Sequence, residues 1–563
     1  MGVRTSEALR RLAGVPVLRC VPAMASRSNA ALPVLVLVLG TLLSLVVACM
    51  RLGSATDTDA WFLLSTGRQI LESGIPRGNP WAIEAGLRVV VQQWLHDVWL
   101  FALFEAGGFA AVSASMLLPL SLFYASLAWL CREAAGRRLP AYVIAGLLGV
   151  ATFLSMAWVT VRPTLWTMAL SCACAAASAR AARTGDNRWL VLPPVIVAVH
   201  VNLHASMAWL DLFAVACAAL PPTTGEARRA LAHPLGWAMR RAAVIRCIAC
   251  MLVCMLLNPY GVDGVTYLFD SYGVASYRDL IQELRHPWLV IPVGMAVWLA
   301  GTVVLPTVLC IFWGHRALPP LPAIAGVLVG TAAGLSSTRS MWISVPPAMA
   351  IIAWAWARSP AREGAWNALT KGVAAGLPRL HGAGATIACS VLPPLLALAL
   401  AATLPGGLSV GVQGPRSDGE RLTYQLTWDY MPREVGPLLD EIEASGPRER
   451  VYTDIIVNNY LEWERYPVML DARPEIWEPA ISGDSRHIYL DYADTLDFTE
   501  GGSSPTVNTG KLRRYVDANS VRWLILGKGE LSGHDGLGEG YELVAETDYF
   551  ELWRVADRPD GES

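Results

Sequence analysis

The chain has 563 residues, 54% of them hydrophobic and only 16% charged, with a mean hydropathy of +0.40. An ordinary soluble domain carries roughly 25% charged residues, so this balance excludes a chain that is soluble throughout. The net charge of −2 hides two unlike parts: residues 1–404 hold 29 Lys and Arg against 16 Asp and Glu, whereas residues 405–563 hold 15 against 30.

Residues 1–30 are rich in Arg (Arg4, Arg10, Arg11, Arg19, Arg27) and read as a cytoplasmic segment. Apolar blocks of membrane-spanning length follow at 31–50, 107–130, 140–158, 164–182, 189–202, 204–221, 242–258, 287–313, 318–335, 340–357 and 384–404. The segment before the first block is long and no small-residue cleavage site follows it, so the block is not a cleavable signal. A large first outer loop covers 51–93, and 94–106 is apolar but too short to cross, which predicts an interfacial helix. With the N-terminus inside, 21 basic residues fall in inner segments and 8 in outer loops, as the positive-inside rule requires. All eleven Cys lie at or before Cys389, mostly in apolar blocks, and read as small buried hydrophobes.

The Gly/Pro-containing stretch 405–415 is a linker. Residues 416–563 alternate helical patterns (431–445, 511–518) with β-rich runs (450–453, 467–471, 521–526, 541–554), which predicts a small α/β domain able to fold alone. The fold expected is therefore mainly α: a polytopic transmembrane bundle of about eleven spans with a small extracytoplasmic C-terminal α/β domain.

That topology puts the unusual polar residues of the membrane part on one side. Asp57 and Asp59 follow the first span, and Gln92, Gln93, Trp94 and His96 open the interfacial helix. Arg162, the group His200, Asn202 and His204, Glu283, and Arg339 all fall in outer turns. Each has an ordinary explanation: Arg snorkels to headgroups, Trp anchors interfaces, and His makes structural hydrogen bonds. Their gathering on one face points instead to chemistry at headgroup level. Arg162 and Arg339 suit bidentate phosphate binding. A loop carboxylate, Asp59 or Asp57, suits a general base, and with nearby His could hold a divalent metal ion.

The order of short motifs resembles that of a group of bacterial polytopic membrane proteins related to GT-C-fold glycosyltransferases. The motifs are Asp57-Thr-Asp-Ala-Trp-Phe-Leu-Leu-Ser-Thr-Gly67, Gln92-Gln93-Trp94-Leu95, Arg162-Pro163, Asn202-Leu203-His204, Asn258-Pro259-Tyr260-Gly261, Glu283 and Arg339. In the C-terminal part, Asn459-Tyr460-Leu461 and Asp471-Ala472-Arg473 correspond to two further elements of the pattern. Two positions depart from it: Leu63 stands where the pattern has His, and Gln92-Gln93 where it has His-Glu. The resemblance implies a polyprenyl-phosphate-linked sugar as donor, an extracytoplasmic glycan, lipid or protein as acceptor, the bacterial plasma membrane as location, and no nucleic-acid partner. It implies Asp59 and Asp57 as catalytic, and Arg162, Arg339, His200, Asn202, His204, Glu283, Gln92, Gln93, Trp94 and His96 as substrate-binding. The departures keep open a non-catalytic protein of cell-envelope assembly. A transporter or flippase of lipid-linked sugars is the other alternative, although neither repeated halves nor midplane charges favour it.

Overall fold

A computed structural model describes residues 31–52, 59–136, 139–221, 224–234, 241–272, 281–313, 317–359, 389–397, 399, 430–497, 506–532 and 537–556. Asp57, the Arg-rich segment 1–30, the linker 405–415 and most of the stretch 384–404 lie outside them. The described chain is mainly helical, with sheet only in the C-terminal part.

The helices that frame the argument are α1 (Ala31–Leu52), α2 (Ala60–Ser73), α3 (Trp94–Ala114), α4 (Leu117–Ala135), α5 (Ala141–Leu154), α6 (Thr164–Thr184), α7 (Leu192–Leu203), α8 (Trp209–Ala219), α9 (Ala242–Cys254), α10 (Val262–Tyr272), α11 (Leu321–Ser336) and α12 (Val345–Trp356). α1 lies against α5, α6 against both α4 and α8, and α12 against α4. Small residues allow the tightest of these contacts: a Cβ at Gly40 of α1 would meet the Ala145 carbonyl, and one at Gly149 of α5 would meet the Gly40 backbone. α3 bends at Gly107 and Gly108, and Gly108 has a φ of +59° that a side chain would disfavour. The bend falls where the interfacial helix predicted over 94–106 was to end.

Among the described residues, Trp94–Ala135 and Pro292–Trp313 are long and apolar enough to cross a membrane by length and composition. The second is interrupted by a π-helical turn at Ala300–Val304. Large apolar side chains, including Leu39, Val195, Val253, Val293, Ile311 and Leu328, face outward from the helical part. Water would not leave such side chains exposed on so many helices.

In the C-terminal unit, a four-stranded sheet runs in the order β1 (Val451–Thr453), β4 (Trp523–Gly527), β7 (Phe550–Val555), β6 (Tyr541–Glu546). β1 and β4 are parallel and the rest antiparallel. A smaller sheet joins β2 (Leu496–Asp497), β3 (Thr506–Asn508) and β5 (Leu531–Ser532). The helices of this unit include α13 (Ile455–Trp463) and α14 (Thr509–Ala518). Three of the four predicted β runs are strands of the main sheet. The run at 467–471 is not: Val468 bridges Ala82 of the first loop, donating from its N–H to the Trp81 carbonyl at 2.8 Å.

The unit does not enclose its core alone. Trp61, Ile70, Trp81, Leu87, Val89, Val90 and Val91 share one hydrophobic cluster with Tyr452, Leu461, Trp477, Trp523 and Phe550. α13 packs on α2, and Trp61 meets Tyr460 edge to face with ring centroids 5.2 Å apart.

Candidate functional site

Where the C-terminal unit meets the ends of the helices there is a cavity of about 300 Å³. Its wall is assembled from far-apart segments: Asp59 and Leu63 from α2, Gln92 and Gln93 before α3, and Arg162 before α6. His204 after α7, Glu283 and Arg339 complete the helical side. Seven of the residues singled out in the sequence thus share one wall. The C-terminal unit contributes Arg473, Glu475 and Tyr489 opposite them.

Arg162 is the centre of charge. Its Nε lies 3.1 Å from Asp59 Oδ2, and its Nη1 donates to both oxygens of Glu283 at 3.2 and 3.3 Å. Asp59 sits at the N-cap of α2 but makes no capping hydrogen bond with its side chain, which is turned to the guanidinium instead. The Arg162 guanidinium, reinforced by Arg339, holds the Glu283 carboxyl below the usual carboxylate range. The turn carrying Arg339 is pinned to the same segment: Ser337 Oγ donates to the Glu283 carbonyl at 3.0 Å and Thr338 N–H to the Arg285 carbonyl at 3.0 Å.

Arg473 ties the roof to the wall. It is buried, and it donates to both oxygens of Glu462 at 3.0 Å, to Asp471 Oδ2 from Nε at 3.0 Å, and to Thr66 Oγ1 of α2 at 3.1 Å. Its guanidinium lies 4.8 Å from the Phe62 ring centroid and 4.5 Å from that of Trp81. Burial opposes charge on these groups, but Arg473 keeps the Asp471 carboxyl low, whereas for Glu462 burial prevails and pushes the carboxyl up. The two C-terminal motifs belong together, since Asn459 Oδ1 accepts from the Ala472 N–H at 3.2 Å.

Four of the expected substrate-binding residues do not line the cavity; they brace it. His96 Nε2 lies 2.8 Å from the Val161 carbonyl, which fixes the backbone just before Arg162. Trp94 Nε1 donates to Asn202 Oδ1 at 2.8 Å, and Asn202 Nδ2 donates to the carbonyls of Ala198 and Leu257, each at 2.8 Å. His200 is fully buried behind the wall, with Nδ1 2.8 Å from Asp211 Oδ2 and Nε2 3.0 Å from Thr167 Oγ1. Thr167 Oγ1 in turn lies 2.8 Å from His204 Nδ1. Each thus has a polar atom satisfied by a carbonyl or side chain of the surrounding fold. Among the described residues no group of three or more His, Cys, Asp or Glu is placed to hold a metal ion, and the carboxylates of Asp59 and Glu283 are turned to a guanidinium.

Sequence reasoning missed Glu475 and Tyr489, which lie more than 400 positions along the chain from Asp59 and form no motif with it. Asp471 and Arg473 entered only as two residues of one motif, which suggests a local turn pair. The pair is present, but it is buried and joined to α2.

No protein-family model and no curated protein sequence matches the chain. In overall structure it is similar to ArnT from Cupriavidus metallidurans bound to undecaprenyl phosphate, at 12% identity and a TM-score of 0.48, with 93% of this chain and 98% of that chain covered. It is also similar to the Archaeoglobus fulgidus oligosaccharyltransferase tethered with an acceptor peptide, at 11% identity and a TM-score of 0.48, with 88% and 69% covered. The same archaeal enzyme, AglB, in complex with an inhibitory peptide and a dolichol-phosphate gives 11% identity, a TM-score of 0.46 and the same coverages. These neighbours have the GT-C fold.

Proposed function

We propose that the chain is a membrane glycosyltransferase that moves a sugar from a polyprenyl-phosphate carrier to an extracytoplasmic acceptor, with its N-terminus in the cytoplasm and its C-terminal unit outside a bacterial plasma membrane. The observation that carries this reading is the single cavity that unites Asp59, Arg162, Glu283 and Arg339 beneath a polar roof. Arg162 is paired through Nε with Asp59 and through Nη1 with Glu283. The donor's phosphodiester offers the same bidentate geometry and the same single negative charge, so on entry it takes the place of Asp59 at Arg162. The freed carboxylate then stands beside the phosphate-bearing sugar as general base for the acceptor hydroxyl. Arg162 and Arg339 stabilise the departing phosphate. The roof keeps water from the sugar and offers Glu475 and Tyr489 to the acceptor.

The test combines binding with transfer in the purified, lipid-reconstituted protein. Asp59→Asn retains binding of undecaprenyl phosphate and loses transfer by about 10²–10⁴-fold, the usual weight of a general base. Lys at 162 or 339 keeps the charge but loses the fork, and weakens binding. Wild-type rates in Asp59→Asn would end the catalytic assignment.

One observation favours a second reading. Leu63, Gln92 and Gln93, the positions that depart from the motif pattern, all line the cavity, which leaves it poorer in acid–base groups. Tight binding by the wild type without transfer from any of a panel of lipid-linked sugars would select a non-catalytic carrier-binding protein of envelope assembly.

A further inference from the structure

Behind the wall, five side chains form a continuous hydrogen-bonded row that the proposed reaction does not account for. Ser171 Oγ donates to Asp211 Oδ1 at 2.7 Å, and Asp211 Oδ2 meets His200 Nδ1 at 2.8 Å. His200 Nε2 meets Thr167 Oγ1 at 3.0 Å, and Thr167 Oγ1 meets His204 Nδ1 at 2.8 Å. Asp211 and His200 are fully buried, and His204 is 3% exposed. Only the far end reaches the cavity: His204 lines it, and its Nε2 has no hydrogen-bond partner among the described residues. The charged groups facing His204 include Arg339, and the neighbouring imidazoles are His200 and His96.

The row has a polarity. Its direction depends on the protons of the Asp211–His200 pair, and a pair without net charge spares the buried helices an uncompensated charge. Two proton arrangements meet that condition: a protonated Asp211 beside a neutral His200, or a carboxylate beside an imidazolium. In both, His200 carries a hydrogen on Nε2 and donates it to Thr167 Oγ1. The hydroxyl then donates its own hydrogen to His204 Nδ1; the competing Pro163 carbonyl is farther off, at 3.5 Å. A neutral His204 must then carry its proton on Nε2, toward the cavity. Only a bare carboxylate beside a neutral His200 reverses the row.

We propose that His204 is a fixed N–H donor to a phosphate oxygen in this cavity, completing the anion site of Arg162 and Arg339. Asp211, His200 and Thr167 are positioning residues that set its tautomer. This rests on the lipid-phosphate reading above and names a further residue that touches the phosphate. A neutral imidazole adds a directed donor without adding charge, which suits a wall that already balances Arg162 against two carboxylates.

The experiment uses the full-length protein in lipid, labelled with ¹⁵N-histidine, with the His204 signals assigned by difference from His204→Phe. In the wild type His204 shows a bare Nδ1 and a protonated Nε2. Asp211→Asn, whose amide donates to His200 as a protonated acid does, keeps that tautomer and keeps binding of undecaprenyl phosphate. Thr167→Val mixes the tautomers and weakens binding, and His204→Phe weakens it about 10–100-fold, the weight of a hydrogen bond to a charged group. A bare Nε2 in the wild type, or inversion of the tautomer in Asp211→Asn, overturns the proposal. So does undiminished phosphate binding in His204→Phe. Inorganic phosphate is the second probe: a wild type that binds it but not the lipid retains the anion site with its His204 donor and loses the lipid reading, whereas a wild type that binds neither overturns both.

Discussion

Arg162 is held from two sides, and its partners differ in what they can withstand. Glu283 is 49% exposed, so solvent screens the pair and it is worth only about 0.2–1 kcal/mol. Its carboxyl is held below the ordinary value of 4.5, chiefly by Arg162. The stabilisation is therefore fully present above pH 4.5 and is lost as pH falls through the lower folded value. We expect the melting temperature of Glu283→Gln in detergent to lie below the wild type by a constant margin from pH 8 to pH 6. That margin closes in acid below the ordinary carboxylate value; one that persists there would show that Glu283 acts through packing and not charge. At this scale the sequence was informative about charge and less so about contacts. Asp59, Arg162, Glu283 and Arg339 stood out because ions beside apolar blocks are costly unless used. His96, Trp94, Asn202 and His200 stood out as polar groups at the same boundary, yet they bond to the backbone, to one another or to side chains behind the wall. A polar residue at a turn looks alike in sequence whether its partner is a ligand or a carbonyl.

Elements place these residues through close backbone approach. α2 carries Asp59 at its start and crosses α3 where Gly67 faces the Asp97 carbonyl; a Cβ there would also meet Phe101. Gly67→Ala should push the helices apart and cost about 1–3 kcal/mol, the usual effect of overpacking. Chemical denaturation in detergent would read this, and an unchanged midpoint would mean that α2 yields without cost. The α2–α3 contact was hidden in the sequence, where Gly67 closes a motif but nothing names the backbone it faces. The strand pattern was more legible, because β1, β4, β6 and β7 alternate or bury apolar residues in short runs bounded by turns. The run at 467–471 has the same composition, but it pairs with 81–83 of the first loop. Composition gives a strand its tendency to pair and says nothing of its partner.

Across the whole molecule, the C-terminal unit and the first loop are one body. The sequence predicted a domain that folds alone, because residues 416–563 contain enough apolar runs to suggest a core. In the structure, that core is closed by Trp61, Ile70, Trp81 and Val89–Val91. A purified fragment 416–563 should therefore melt low and bind a hydrophobic dye, and a peptide spanning 60–93 should raise its melting temperature by about 2–4 °C for each kcal/mol it contributes. No response to the peptide, with a sharp melt of the fragment alone, would restore the separate domain. The shared core also sets a clock on biosynthesis. Ser65 Oγ donates to the Glu462 carbonyl across 397 residues of chain. At about 5–20 residues per second the ribosome needs about 20–80 s to travel that distance. Throughout that interval the first loop stands finished but without its partner, its tryptophans uncovered. The cavity is thus among the last parts of the protein to come into being, and a chain whose synthesis stops early has the Asp59 end of the site but nothing to close over it.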